Sequence, residues 1–309
     1  MMFRAGDRFV LIRPGMAVVA NPTNLRRPPN EAHSIILQAT IGCPWNRCSF
    51  CGNYKRKQFL PRYPEVLDDL YIAKKYFGEQ PTQIFLADAN SLVLKTEHLL
   101  DIAQTSYEVF PNLKQISSYG SARCIIRKDP QDFEQLQKAG LTKIYLGLET
   151  GDTALLRSMN KGATADEMIR AGKIVTDAGM ILSVTVIQGL GGKGSWCHNA
   201  EETAQVLNVI QPHETRFHNL IIHPESVLAE QAKKGQFHPA AREEILKEMR
   251  ELIKQLTIKT RIFTYSSNYL RPGLLDGLLP NDKSYMLRLL DAALTSSNRN
   301  QYFQPSRMI

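Results

Sequence analysis

From residue 34 to about 225 the chain alternates short β-forming runs with longer stretches whose apolar positions recur at helical spacing, the pattern of successive βα units. The first run, 34–40, suits a buried strand and is broken by Gly42. Pro64 then opens a helix in which Val66, Leu70, Ala73 and Phe77 share a face as far as Gly78. A second strand over 83–87 ends at Asp88, and Leu99, Ile102 and Ala103 mark the helix after it. Residues 115–119 predict a third strand, 132–138 a helix closed by Gly140, and 143–148 a fourth strand. Thr164 and Glu167 form a capping-box pair ahead of the apolar face Met168, Ala171, Val175 and Ala178. The fifth strand spans 181–188. Asn199 with Glu202 is expected to cap a helix that Pro212 ends, and 216–222 predicts a sixth strand.

Six such units imply an α/β fold with a parallel sheet, either doubly wound or curled into a complete or partial barrel. Both arrangements gather ligands at the carboxyl ends of the strands, where the cysteines, Asp88, Glu149 and Gly189 fall. The expected division is a lead-in over 1–33, a core over 34–225, and a C-terminal helical cap over 226–309 carrying helical patterns at 240–259 and 283–294.

With 43% hydrophobic and 22% charged residues, the chain is that of a globular protein with a sizeable core. No run of about 18 apolar residues occurs and the first residues lack a secretory pattern, so a cytoplasmic protein without a membrane partner is expected. The net charge of +8 admits an anionic or nucleic-acid partner, but Lys and Arg are spread along the chain, with Lys55-Arg56-Lys57 the densest run.

Three of the five cysteines crowd into Cys43-Pro44-Trp45-Asn46-Arg47-Cys48-Ser49-Phe50-Cys51, which fits a metal site better than a disulfide framework. Thiolates are soft ligands, so iron-sulfur clusters and zinc are the alternatives. A closed zinc site wants a fourth Cys or His, and none lies near: His33 precedes the strand, and Cys124 and Cys197 are isolated.

Three cysteines after the first strand of a βα series, with aromatic Phe50 before the last, resemble the cluster loop of the radical S-adenosylmethionine superfamily. The commonest family spacing is C-x3-C-x2-C; here it is C-x4-C-x2-C. The resemblance covers roughly 26–225 and implies a partial (β/α)6 TIM-like barrel with a C-terminal helical extension. It implies that Cys43, Cys48 and Cys51 ligate three irons of a [4Fe-4S] cluster, the fourth iron binding S-adenosylmethionine, which one electron cleaves to methionine and a 5′-deoxyadenosyl radical. It further implies a small-molecule substrate and an external one-electron donor such as flavodoxin or ferredoxin.

The other strand ends carry the same resemblance. Asp88 and Asn90 stand where the family contacts the methionine amino group, with Ala87-Asp88-Ala89 replacing a Gly-Gly-Glu-like segment. Tyr145 to Gly151, followed by Met159-Asn160-Lys161-Gly162, is similar to the fourth-strand signature of methylthiotransferase-like and coproporphyrinogen-oxidase-like branches, which places Glu149 near the ribose hydroxyls; Lys161 and Arg157 read as a solvated helix face. Ile187 and Gly189 fit a G-x-I-x-G segment that approaches the adenine, with Thr185 in place of the first glycine. Gly189, Gly191 and Gly194 also fit G-x-G-x-x-G, but in the fifth unit, with Ser195 to His198 expected to delay the helix. Arg27 to Ser34, Ser267 to Leu270 and Leu279 to Lys283 are similar to segments of a little-characterised group of stand-alone radical proteins. The functions to separate are therefore a radical enzyme acting on a small metabolite or cofactor precursor, an RNA-modifying enzyme with the same cluster, a non-enzymatic iron-sulfur or zinc scaffold, and a dinucleotide oxidoreductase. Cys197 beside His198, and His213, His218 and His223 around the sixth strand, read as ordinary structural side chains.

Overall fold

The computed structural model describes residues 25–266 and 270–296, with the backbone of three strands upstream. Two compact units interleave in the sequence: Met1–Asn46, Arg56–Leu146 and Ile174–Ile181 form one, and Arg47–Lys55, Gly147–Lys173 and Leu182–Ile309 the other.

The first unit opens with β1 (Met2–Ala5), β2 (Arg8–Arg13) and β3 (Met16–Ala20), joined antiparallel. The lead-in, expected to be merely extended, is therefore a three-stranded meander, and β3 runs parallel to β4 (Ile35–Gln38). Next, β5 (Thr40–Ile41) pairs antiparallel with β6 (Leu60–Pro61), closing the base of the cysteine loop between them. There follow α1 (Glu65–Phe77), β7 (Gln83–Ala87), α2 (Thr96–Val109), β8 (Gln115–Gly120), α3 (Ala122–Ile125), α4 (Pro130–Lys138) and β9 (Leu141–Glu149). Strands β4, β7, β8 and β9 pair parallel in that order, as the alternation predicts. Helix α4 starts two residues earlier than expected because Asp129 caps it, accepting the Gln131 N–H at 2.9 Å while Asp132 accepts the Asp129 N–H at 3.1 Å.

On one face of this ladder Ile36, Phe85, Ala87 and Tyr145 form a buried cluster. Phe85 meets Tyr119 and Tyr145 edge-on, with centroids 4.9 and 5.9 Å apart. The Tyr145 hydroxyl donates to buried Glu31 at 2.5 Å, and Ser34 donates to the same carboxylate, which ties the Pro28–Glu31 segment to the sheet.

Beyond β9 the chain runs through α5 (Thr153–Ser158), α6 (Ala165–Asp177), β10 (Ile181–Gln188), α7 (Trp196–Ile210), β11 (Glu214–Asn219), α8 (Val227–Lys233), α9 (Arg242–Gln255), β12 (Thr260–Ser266), β13 (Gly277–Leu279) and α10 (Lys283–Thr295), all in the second unit except Ile174–Ile181. The Thr164–Glu167 capping box forms reciprocally, at 2.8 and 3.3 Å. Strands β10, β11 and β12 are parallel, and β13 returns antiparallel on β12.

The sequence reading missed β12 and β13 inside the expected helical cap. The inward residues of β12, Thr260, Ile262 and Thr264, are buried although two are polar. Thr260 bonds Thr215 at 3.1 Å, and Thr264 bonds Asp276 through its N–H and its hydroxyl, so burial leaves these groups paired. Residues 267–269 of the C-terminal motif lie outside the described residues.

Candidate functional site

The cysteine loop leaves β5 through Gly42 at φ +74, a left-handed turn, and a Cβ there would meet the Gln58 carbonyl oxygen at 3.0 Å. The Gly42 N–H donates to Asp88 Oδ2 at 3.1 Å, so a buried carboxylate at the end of β7 fixes the start of the loop. Cys43 Sγ accepts the Asn46 N–H at 3.3 Å, and the Arg123 guanidinium lies 4.2 Å from the Trp45 ring centroid. In the second half of the loop, the Ser49 N–H donates to the Met159 carbonyl at 2.8 Å and its carbonyl accepts the Leu228 N–H at 2.9 Å. Phe50 and Ile187 pack against one apolar cluster of Met159, Leu190 and Leu228. All three cysteines are half-buried.

Asn90, 3% exposed, follows β7. Its Nδ2 donates to Ser121 Oγ at 2.9 Å and to Cys124 Sγ at 3.0 Å, while its Oδ1 is buried with no hydrogen-bond partner among the described residues. A buried amide oxygen without a donor costs about 1–3 kcal/mol unless a ligand supplies one.

Glu149 ends β9 at φ +68, and its Oε1 lies 2.5 Å from Lys161 Nζ. Lys161, whose side chain is 15% exposed, is therefore not on a solvated helix face but pairs with the acid. Glycine at 147 leaves room for this pair, since a Cβ there would stand 2.3 Å from Glu149 Oε1. The register of β10 and β11 sets Ser183 beside Glu214, Thr185 beside Arg216 and Ile187 beside His218, so side chains of one alternation share a face. Arg216 Nε donates to Ser183 Oγ at 2.9 Å, and its guanidinium lies 4.9 Å from the Phe263 ring centroid. Burial pushes the His218 imidazole below its ordinary pKa; Glu149 opposes that shift and Arg216 adds to it.

Gly189 takes φ +75, and its N–H donates to Glu248 Oε2 at 3.0 Å. Asn199, expected as an N-cap, lies inside α7, which begins at Trp196; the predicted delay of that helix does not occur. The Asn199 side chain is used in tertiary bonds instead. Its Nδ2 donates to Glu248 Oε1 at 2.6 Å, and its Oδ1 accepts from the Thr150 hydroxyl. Burial raises the Glu248 carboxyl to a pKa of about 8, against the lowering effect of the two donors. This Thr150–Asn199–Glu248–Gly189 network had no signal in the sequence, because Glu248 sits in an amphipathic pattern where acids are ordinary. Gly194 likewise donates its N–H to Glu244 at 2.7 Å. Two amides of the G-x-G-x-x-G segment thus face carboxylates, the reverse of what a pyrophosphate needs, and the dinucleotide reading is set aside.

The remaining singled-out residues have structural partners. His213 Nδ1 accepts the Leu182 N–H at 3.2 Å, and a hydrogen bond to Glu201 pushes the Cys197 thiol above its ordinary pKa. Among the described residues no helix is long and apolar enough to cross a membrane.

The radical SAM superfamily model matches residues 37–207, more than half of the chain, and the chain belongs to that superfamily. It is 25% identical over 175 residues, half its length, to the 4′-phospho-dehydrooxetanocin synthase of Priestia megaterium, of which it spans only 23%. Among solved structures it is similar to methylornithine synthase (PylB), at a TM-score of 0.52 and 16% identity over 86% of this chain and 83% of that one. It is also similar to coproporphyrinogen III oxidase (HemN) of Escherichia coli, at a TM-score of 0.52 and 14% identity over 67% of this chain and 49% of that one. The fold is thus the α/β, mostly parallel arrangement of the superfamily's partial barrels. Members of this superfamily are enzymes whose cofactors are a [4Fe-4S] cluster and S-adenosylmethionine, and cleavage of S-adenosylmethionine is the family's general mechanism.

The described residues fit both groups. Three cysteine sulfurs in one loop are the soft donor set an iron-sulfur cluster takes. Among the described residues no three His, Cys, Asp or Glu side chains gather around a single ion, whereas in a four-iron cluster each thiolate serves a different iron. The buried Asn90 Oδ1 without a donor fits a ligand bearing an amino group.

Proposed function

We propose that Cys43, Cys48 and Cys51 hold the [4Fe-4S] cluster, and that the enzyme abstracts a hydrogen atom from a small polar metabolite or cofactor precursor, drawing its electron from an external carrier such as flavodoxin or ferredoxin. When bound, the cluster supplies the electron that cleaves S-adenosylmethionine to methionine and a 5′-deoxyadenosyl radical. The chain's own residues bind and orient. Asn90 and Asp88 receive the methionine end, where Asn90 Oδ1 accepts an amino N–H. Glu149 receives the ribose hydroxyls, for which a carboxylate offers two acceptor oxygens. Phe50, Ile187 and the turn at Gly189 provide the apolar, water-excluding side.

The polar substrate class rests on the face of β10 and β11 that carries Ser183, Thr185, Glu214, Arg216 and His218. Parallel strands covered on both sides are normally apolar throughout, so a polar face in register marks a place for a polar ligand.

The observation that carries the proposal is the loop itself: three half-buried cysteines within nine residues, with an Asp88 anchor at one end and hydrogen bonds to Met159 and Leu228 at the other. Anaerobic reconstitution with iron and sulfide, then dithionite and S-adenosylmethionine, is expected to yield 5′-deoxyadenosine. A Cys48→Ala variant is expected to yield none, and its continued production would remove the ligand assignment.

A further inference from the structure

The half of the loop that carries Cys48 and Cys51 is gripped by a segment far downstream. Beside Cys51, Gly52 is buried and has no room for a side chain: a Cβ there would stand 2.0 Å from Nδ1 of His223 and 2.2 Å from its Cγ. Gly52 is not among the residues of positive φ, so the glycine answers to space and not to backbone angle. The imidazole is itself held, since Nδ1 accepts the Glu225 N–H at 3.2 Å. The His223 carbonyl accepts the Ser226 N–H at 2.9 Å, and the Ser226 hydroxyl caps α8 by accepting the Ala229 N–H at 3.1 Å. The same turn presents the Leu228 N–H to the Ser49 carbonyl at 2.9 Å. Residues 223–228 therefore form a braced hook with two holds on the loop, a ring against Gly52 and a backbone hydrogen bond to Ser49.

We propose that His223, seated against the Cα of Gly52, is a positioning residue that keeps the Cys48–Cys51 half of the loop in its cluster-binding shape, so that retention of the cluster depends on a contact made from outside the loop. This rests on the assignment of Cys48 and Cys51 as ligands. Groups that orient metal ligands without touching the metal commonly govern affinity by about 10–100-fold, and a ring wedged beside a ligand's neighbour acts in that way.

The test pairs a bump with a hole in the full chain. Wild type, Gly52→Ala, His223→Ala, the double variant and His223→Phe are reconstituted anaerobically with iron and sulfide and desalted. Each is then assayed for bound iron and sulfide, visible absorption and the spin signal after reduction, with circular dichroism and thermal unfolding on the same samples. Gly52→Ala is expected to fold and to lose about tenfold in retained iron. In the double variant the ring that would clash is gone, and retention is expected to recover to the level of His223→Ala alone, while His223→Phe, which keeps a ring at the contact, stays near wild type. Wild-type retention by Gly52→Ala, or a folded double variant that retains less than His223→Ala alone, overturns the clamp. Retention by His223→Ala equal to wild type overturns the proposal whether or not Gly52→Ala folds. A wild type that takes up no cluster sinks the ligand assignment and the clamp together, whereas a loaded wild type beside an equally loaded Gly52→Ala sinks the clamp alone.

Discussion

Replacing Glu248 by Gln should remove a pH dependence of stability that burial has built into the glycine turn. Glu248 is 2% exposed, and burial raises its pKa from 4.5 to about 8. The folded state therefore binds a proton that the unfolded state has already lost, and stability is highest below about pH 4.5 and declines as pH rises through 8. At about 1.4 kcal/mol per pH unit, the interval from 4.5 to about 8 amounts to about 5 kcal/mol, an upper bound because the buried carboxylate can relax toward its donors. Gln keeps the shape and cannot ionise. It can accept the Gly189 N–H through its oxygen and donate to Asn199, whose amide then turns its nitrogen toward Thr150. Urea unfolding of the reduced apo-protein at half-unit steps from pH 5 to 9 is the assay. The wild type should lose a few kcal/mol over that range relative to the variant, and the variant should be the more stable of the two at pH 9. Parallel pH profiles for the two proteins would refute the reasoning.

Three further outcomes follow from the geometry. Gly147→Ala places a Cβ 2.3 Å from Glu149 Oε1 and 3.0 Å from Lys161 Nζ, so the pair must swing aside; thermal unfolding should change little while S-adenosylmethionine affinity, measured by anaerobic calorimetry, falls. Asn90→Leu removes one proposed ligand hydrogen bond and should weaken S-adenosylmethionine binding about tenfold, or about 1.4 kcal/mol, with unchanged affinity counting against the assignment. Gly151→Ala drives a Cβ to 2.2 Å from the Glu202 carbonyl oxygen in α7, where backbone cannot yield, and should cost about 1–3 kcal/mol in denaturant unfolding.

The six expected parallel strands were legible because each is a short apolar or β-forming run bounded by turn-forming residues, and Gln83–Ala87 and Ile181–Gln188 fall where the pattern puts them. The start of α7 was not legible, since Asn199 has cap chemistry but spends it on Thr150 and Glu248. Strand β12 is rich in β-branched and aromatic residues and escaped because it lies between the helical patterns at 240–259 and 283–294, beyond the expected end of the βα alternation. At the site, the cysteines and strand-end acids announce themselves by residue type and spacing. Lys161, Glu248 and His223 do not, because their meaning lies in contacts across long sequence separations that no local pattern records.

The grip of residues 223–228 on Ser49 and Gly52 also orders events in time. Cys51 leaves the ribosome long before His223 and Leu228 exist, so during most of translation Phe50 lacks its Leu228 neighbour and the thiols stand on an unbraced chain. On the proposed ligand assignment, iron delivery to this loop is expected to follow synthesis of the downstream half.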